Sequence, residues 1–545
     1  MNALLFASAV ALAAAAPTPE HSHHAPKLGS LTFDTTCTAE GDVLFEQGLG
    51  WLHSFEYEQS ARIFAQAAAA DPRCAIAEWG IAMSNYHPLW APPTAAEVDT
   101  ARKAIARAQA IGAGSQREKD YVAAIDTFFR DSERRDHKTR TLEYTSAMKE
   151  LSKRYPDDRE AAVFYALALI AAGTMDNDPE FAKERRAGAI LNEVLQANGD
   201  HPGVAHYLIH SFDYPALADL ALPAARRYAS LAPDSPHAQH MPSHIFVRLG
   251  LWDEAIKSNL ASEAAARNYA TAHGLADSSS ERLHAMDYLA YCYLQTGRDA
   301  DAEQVLANLN AIQRADPPVF SVAYAATAIP ARLLLERRMW KQAASLGLKD
   351  NVRNLAPLEN YQWGEAHVHF ARAVGASRSG DGAAARDEVG KLKAIEQALV
   401  VPAGTYDWRR QVNIERRIAE GWLALAEGRE ADAEQILRDA ATLDDSTEKH
   451  PVTPGAILPA REQLAELLIE LGRPTEAIAE YQASLTRAPK RLAALYGTAR
   501  AARLAGDDAT ARRYFLELAE VTRDGSADRA EIRDARAAAA QTARR

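Results

Sequence analysis

The sequence predicts an all-α chain of stacked helix-turn-helix repeats, on three observations. Alternating apolar and Ala-rich segments fill its length with almost no strand-like run between them. A small residue with a Gly before it and a Pro after it returns at a period of 34 residues where the pattern is most regular. At 545 residues the chain also far exceeds one compact domain, as an extended array requires. Together these are the signature of the tetratricopeptide (TPR) unit, whose stacked copies form a solenoid with a concave groove.

The elements follow in order. Residues 1–16, MNALLFASAVALAAAA, read as the apolar core of a signal peptide, although no Lys or Arg precedes it. Residues 17–36 read as a flexible tail carrying His21, His23 and His24. An N-terminal TPR array, residues 37–300, opens on GLGWLHSFEYEQSARIFAQAAAADP, with Gly48, Trp51, Phe64, Ala67 and Pro72 in order and Ser60 in place of the small Ala. Its later units carry that small residue at Ala221, Ala255 and Ala302. A C-terminal TPR-like array, residues 301–525, repeats the phase at Ala433, Ala477 and Ala511, with less regular copies at Ala343 and Ala385. Several spacings run to 41–48 residues and call for longer helices or loops. Residues 526–545 read as a C-terminal tail.

Histidines fall in step with this repeat. Counted from the start of each unit, His206 and His240 take the fifth position of the first helix, and His210 and His244 the ninth. His237 and His284 take the second. These three positions form the stripe that lines the concave groove of TPR folds. Spacings of three, four and seven keep His237, His240 and His244 on one helical face. Helices pack about 8–10 Å apart, so imidazoles on adjacent first helices converge.

Converging neutral imidazoles suit copper, zinc, iron or nickel. The expected cofactor is therefore a transition metal, with copper favoured and zinc or iron as alternatives. His201 lies off that face just before Pro202, so it either joins the metal set or begins the helix. Asp213, Asp287, Tyr207 and Tyr291 are expected to support the ligands or complete the coordination. His87, in NYHPLW, sits on a connection that overhangs the groove and either faces substrate or packs the loop. His367 takes a second position two repeats past His284, outside the centre. His53, His137, His273, His369 and His450 lack phased partners and read as surface or structural residues.

Cys37 and Cys74 stand at the starts of successive first helices, where a disulfide fits an oxidising compartment. Cys292, in DYLAYCYLQ, reads as a buried apolar residue. No CxxC, GxSxG, HExxH, Walker or GxGxxG motif occurs, and HMPSH, residues 240–244, lacks the Glu of a zincin helix. A formal charge of −12 argues against a nucleic-acid partner. No apolar run approaches the roughly 20 residues of a membrane helix.

The strings HPGVAHYLIHSFDYP and HAQHMPSHIFVRLGLW, with FDTTC, GLGWLHSFEYEQSARIF and DPRCAIAEWGIAMSNYHPLW upstream, resemble a group of bacterial exported TPR proteins. The resemblance spans about residues 33–300 and implies a solenoid with a histidine-rich centre. No reaction comes with it. Two readings stand at this point: a periplasmic or secreted metalloenzyme, an oxidoreductase before a hydrolase, or a non-catalytic TPR protein that binds metal or a partner. In either, a small molecule or peptide occupies the concave groove.

Overall fold

The computed structural model describes residues 27–543, apart from 90, 91, 177, 273 and 275–277. The expected signal segment, His21, His23, His24 and His273 lie outside the described residues. Within them the chain is an all-α TPR-type solenoid of antiparallel helix pairs, and the described strands are a two-residue parallel pair, Ser278–Ser279 with Ala315–Asp316.

The repeat residues explain the packing. Ala67, Ala221, Ala255, Ala302, Ala433 and Ala477 are all fully buried where helices cross. Glycines of first helices admit rings from second helices: a Cβ on Gly497 would lie 2.2 Å from the Tyr481 ring, closer than any side chain tolerates. Ser60 replaces Ala without an orphaned hydroxyl, because its Oγ donates to the Gly48 carbonyl at 2.9 Å and accepts from Ser84. One continuous apolar core runs from Phe33 to Ala501, without a break near residue 300.

Both expected tails differ from expectation in their described parts. Phe33 is buried between Phe45 and Tyr121 with the Arg117 guanidinium over its ring, and the Lys27 amide donates to Asp234. Residues 27–36 therefore form a strap along the first repeats. At the other end, Ala530–Ala543 is a helix whose Ile532 packs on Gly297. Polar residues in a sequence read as a tail only until their apolar neighbours find a surface.

The solenoid also coils back on itself. Trp252 Nε1 donates to the Lys490 carbonyl at 3.0 Å, and the Ser526 amide to that of Gly297 at 2.8 Å. The connection between helices Glu430–Asp445 and Ala460–Glu470 then crosses the concave side. Its Lys449 reaches Asp213 at 3.0 Å, and its Gly455 carbonyl accepts from Arg332. The connection thus ties the C-terminal array to the helices that carry the histidines.

Cys37 and Cys74 are joined in a disulfide that closes a loop of 37 residues. On the loop-entropy model such a closure is worth about 4 kcal/mol. A Cys37→Ser/Cys74→Ser variant is expected to lose most of that protection in the Ala39–His53 and Tyr57–Ala70 helices by hydrogen exchange. Unchanged exchange there would show that the bridge contributes nothing.

Candidate metal centre

Six phased histidines come together as two triads. His206, His210 and His237 form one, and His240, His244 and His284 the other, with candidate ligand atoms in each within 4.8 Å of one another. Each triad takes the fifth and ninth positions of one repeat and the second position of the next. The i,i+4 pair lies on one first helix, Pro202–Phe212 for the first triad. In the second, the pair spans the short helices Pro236–His240 and Pro242–Arg248, where Pro242 breaks the chain without turning His244 off the face. The two triads adjoin: ring centroids of His210 and His244 are 6.2 Å apart, and those of His237 and His240 are 6.3 Å apart. All six side chains are buried.

The hydrogen bonds fix which nitrogens are free to ligate. His206 Nδ1 lies 2.6 Å from the His53 carbonyl, which only accepts, so that nitrogen carries the proton. Asn259 donates its amide to the Ala255 carbonyl, so its Oδ1 faces His240 Nδ1 at 2.6 Å and that nitrogen is also protonated. Asp213 accepts from His244 Nδ1 at 3.1 Å. Burial raises the Asp213 pKa, but Lys449, Arg248 and His244 outweigh it and hold it well below the usual carboxylate range. It is therefore ionised, and His244 carries its proton on Nδ1.

Burial pushes His206, His210, His240 and His284 well below their ordinary values, and neighbouring histidines push them further. His244 falls to about 4, burial outweighing its bond to Asp213. These imidazoles are neutral at pH 7. The consequence is sharpest in the second triad: Nε2 of His240 and Nε2 of His244 both present lone pairs and face each other at 3.0 Å. The Tyr288 hydroxyl, 3.3 Å from His244 Nε2, has one hydrogen and satisfies one of them at most. A cation between them satisfies both. Two nitrogens on a tetrahedral ion lie about 3.3 Å apart, given metal–nitrogen bonds of about 2.0–2.1 Å. His206 and His210 also stand Nε2 to Nε2, at 3.1 Å, with the His206 tautomer fixed by the His53 carbonyl.

No family model and no curated protein matches the chain. Among solved structures it is similar to a human IFIT1 dimer with PPP-AAAA, at 13% identity and a TM-score of 0.38, over 82% of this chain and 90% of that one. A Naa15/Naa10 complex bound to HypK-THB follows at 14% identity and a TM-score of 0.20, over 88% and 70%. Likenesses this low carry no argument about ligands.

Other expected site residues stand elsewhere. Asp287 and Tyr291 turn away from the triads: Arg332 donates to Asp287 at 2.6 Å and Arg491 to the Tyr291 hydroxyl at 2.9 Å. Tyr288, one turn beyond His284, faces the imidazoles in their place, with ring centroids 4.6 Å from His240. His87 is two rings removed, packing on Tyr57, which stacks on Phe55 against His206. His367 is buried beside Thr327 and Glu415.

His201 belongs to a third cluster, with His53 and Glu160, which the sequence did not reveal. Glu160 accepts from Nε2 of His53 at 2.9 Å and Nε2 of His201 at 2.8 Å. His201 Nδ1 accepts the Val204 amide, beginning the helix, and His53 Nδ1 accepts from the Tyr207 hydroxyl. Every nitrogen here has a protein partner, so the trio is complete without a metal. His53 read as structural because its partners lie 107 and 154 residues away. Glu56 and Glu281 were also missed; both approach His237 at 3.4 Å, Glu56 on its amide and Glu281 on Nδ1.

The two cluster types predict opposite behaviour. Burial raises the Glu160 pKa, but His201 and His53 outweigh it and hold the carboxylate below its unfolded value. Its contribution is present above about pH 4.3 and is lost as pH falls below that. Glu160→Gln is expected to cost about 3–5 kcal/mol at neutral pH, flatten the acid limb and leave the metal content unchanged. A variant of normal stability but lower metal content would make the trio a metal site.

Proposed function

We propose that this protein is an exported TPR solenoid that holds two transition-metal ions side by side, one in each triad, and acts as a metal-dependent oxidoreductase with copper as the metal. The observation that carries the reading is the pair of imidazole lone pairs facing each other at 3.0 Å in the second triad, with both Nδ1 protons fixed by acceptors. Export is supported by the disulfide and by the apolar segment at residues 1–16.

Both triads offer imidazole nitrogen alone, with no thiolate or carboxylate in either set, which suits copper before magnesium or calcium. An ion bound there supplies electron transfer or dioxygen activation, and the adjoining triads allow two ions to act together. The protein's part is to fix tautomers and exclude water. His53, Asn259 and Asp213 each hold one Nδ1 proton, so the lone pairs of His206, His240 and His244 are set before metal arrives. Phe55 and Tyr228 wall the first triad, and Tyr288 the second.

Protein purified without an affinity tag is expected to bind two equivalents of copper. His206→Ala/His210→Ala and His240→Ala/His244→Ala should each remove one, and His369→Gln none. Paired Cu(II) ions should give a weakened paramagnetic resonance signal, and either double variant should restore that of an isolated ion. Dioxygen consumption with ascorbate as reductant should require both triads. A protein that stays metal-free after incubation with copper, zinc and iron salts would sink the reading.

A further inference from the structure

Beside the second triad lies a cavity of about 110 Å³. A single water needs about 10–15 Å³ on this measure, so the space suits a molecule of one ring and a small substituent. Its link to the triad is short: Arg248 and Lys449 line it, and both bind the Asp213 carboxylate that holds His244.

One wall is aromatic. Trp408 stacks on His450 at 5.3 Å and on Trp363 at 4.2 Å, with Tyr406 edge-on at 4.9 Å. The rest of the lining is rich in donors. Arg248, Lys449, Arg461, Arg487 and Arg491 line the cavity against two acids, Asp444 and Asp445. Burial pushes Asp444 up to about 6, so its charge is lost only in mild acid. The carboxylates that balance Arg248, Lys449 and Arg491, namely Asp213, Glu336 and Glu462, stand behind the wall and not in it.

Arg461 and Arg491 already bond protein acceptors through all three of their nitrogens, so the N–H groups offered to the cavity are those of Arg248, Arg487 and Lys449. That combination suits a planar body with one anionic acceptor, since a guanidinium matches a carboxylate in two places and the ring packs against the aromatic lining. A polyphosphate would need a larger unbalanced charge.

We infer that this cavity binds a small aromatic carboxylate and is the substrate pocket of the adjoining metal centre. Binding in the cavity stands independently; its role as substrate pocket rests on the proposed function. The test uses full-length, metal-free protein and calorimetry, with benzoate as probe and benzylamine and inorganic phosphate as comparators. Benzoate should bind saturably at one site, at least tenfold more tightly than either comparator. Arg487→Met and Trp408→Leu should each weaken it about tenfold, Arg487→Lys less, and His206→Ala/His210→Ala not at all. No saturable benzoate binding, equal binding of benzylamine, or affinity unchanged in both cavity variants would overturn the proposal. Because no metal is present, failure here is separate from failure of the metal reading, and the comparison of probes on the wild-type chain holds even where a variant does not fold.

Discussion

Two neutral imidazoles facing each other with lone pairs 3.0 Å apart, in a closed interior, are the constraint on which the centre of this protein depends. A buried acceptor without a donor costs about 1–3 kcal/mol, so the second triad alone carries a standing penalty unless a cation lies within it. Protons do not relieve this cheaply, because burial disfavours the charged ring and holds His240 well below its ordinary value. A metal ion would relieve it, since it accepts both lone pairs at once without protonating either ring. The arrangement is intelligible as a site made ready for metal, and hard to account for as packing alone.

How the chain came by two such sites follows from its repeat. A histidine set made of the fifth and ninth positions of one unit and the second of the next reproduces itself when the unit is stacked, so the second triad is the first moved one step along the solenoid. The third step would use Asp287 and Tyr291. There the interior holds Arg332 and Arg491, with guanidinium centres 5.1 and 5.6 Å from the Tyr291 ring. The array thus places cations of its own where the series would continue, and the series ends at two.

The repeat frame and the clustering of the six histidines were legible in the sequence because both depend on local periodicity: His206 and His210, or His240 and His244, are four apart and share a face whatever surrounds them. Asp213 was legible for the same reason, lying three residues beyond His210. What periodicity does not carry is coiling of the whole array. His53 meets Glu160, Lys449 meets Asp213 and Phe33 meets Tyr121 across separations of 107, 236 and 88 residues, set by superhelical curvature and not by any spacing within a unit. Asp287 and Tyr288 show the finer limit. They are neighbours on one helix, and which of them faces the triads was decided by Arg332 on the next helix pair, whose charge draws Asp287 away.

Asp213 joins these levels. Its carboxylate accepts from His244 on one side and from Arg248 and Lys449 on the other. Lys449 comes from the connection that crosses the concave side, and burial depresses its pKa to about 8 in spite of Asp213. One carboxylate therefore fixes a ligand tautomer, anchors the covering segment and borders the adjoining cavity. Shared among three donors, it gives each less charge than it would give one alone, so the basicity of His244 is coupled to whether Lys449 is in place. The C-terminal array contributes none of the six histidines, yet through Lys449 it sets the electrostatic environment in which the second triad works.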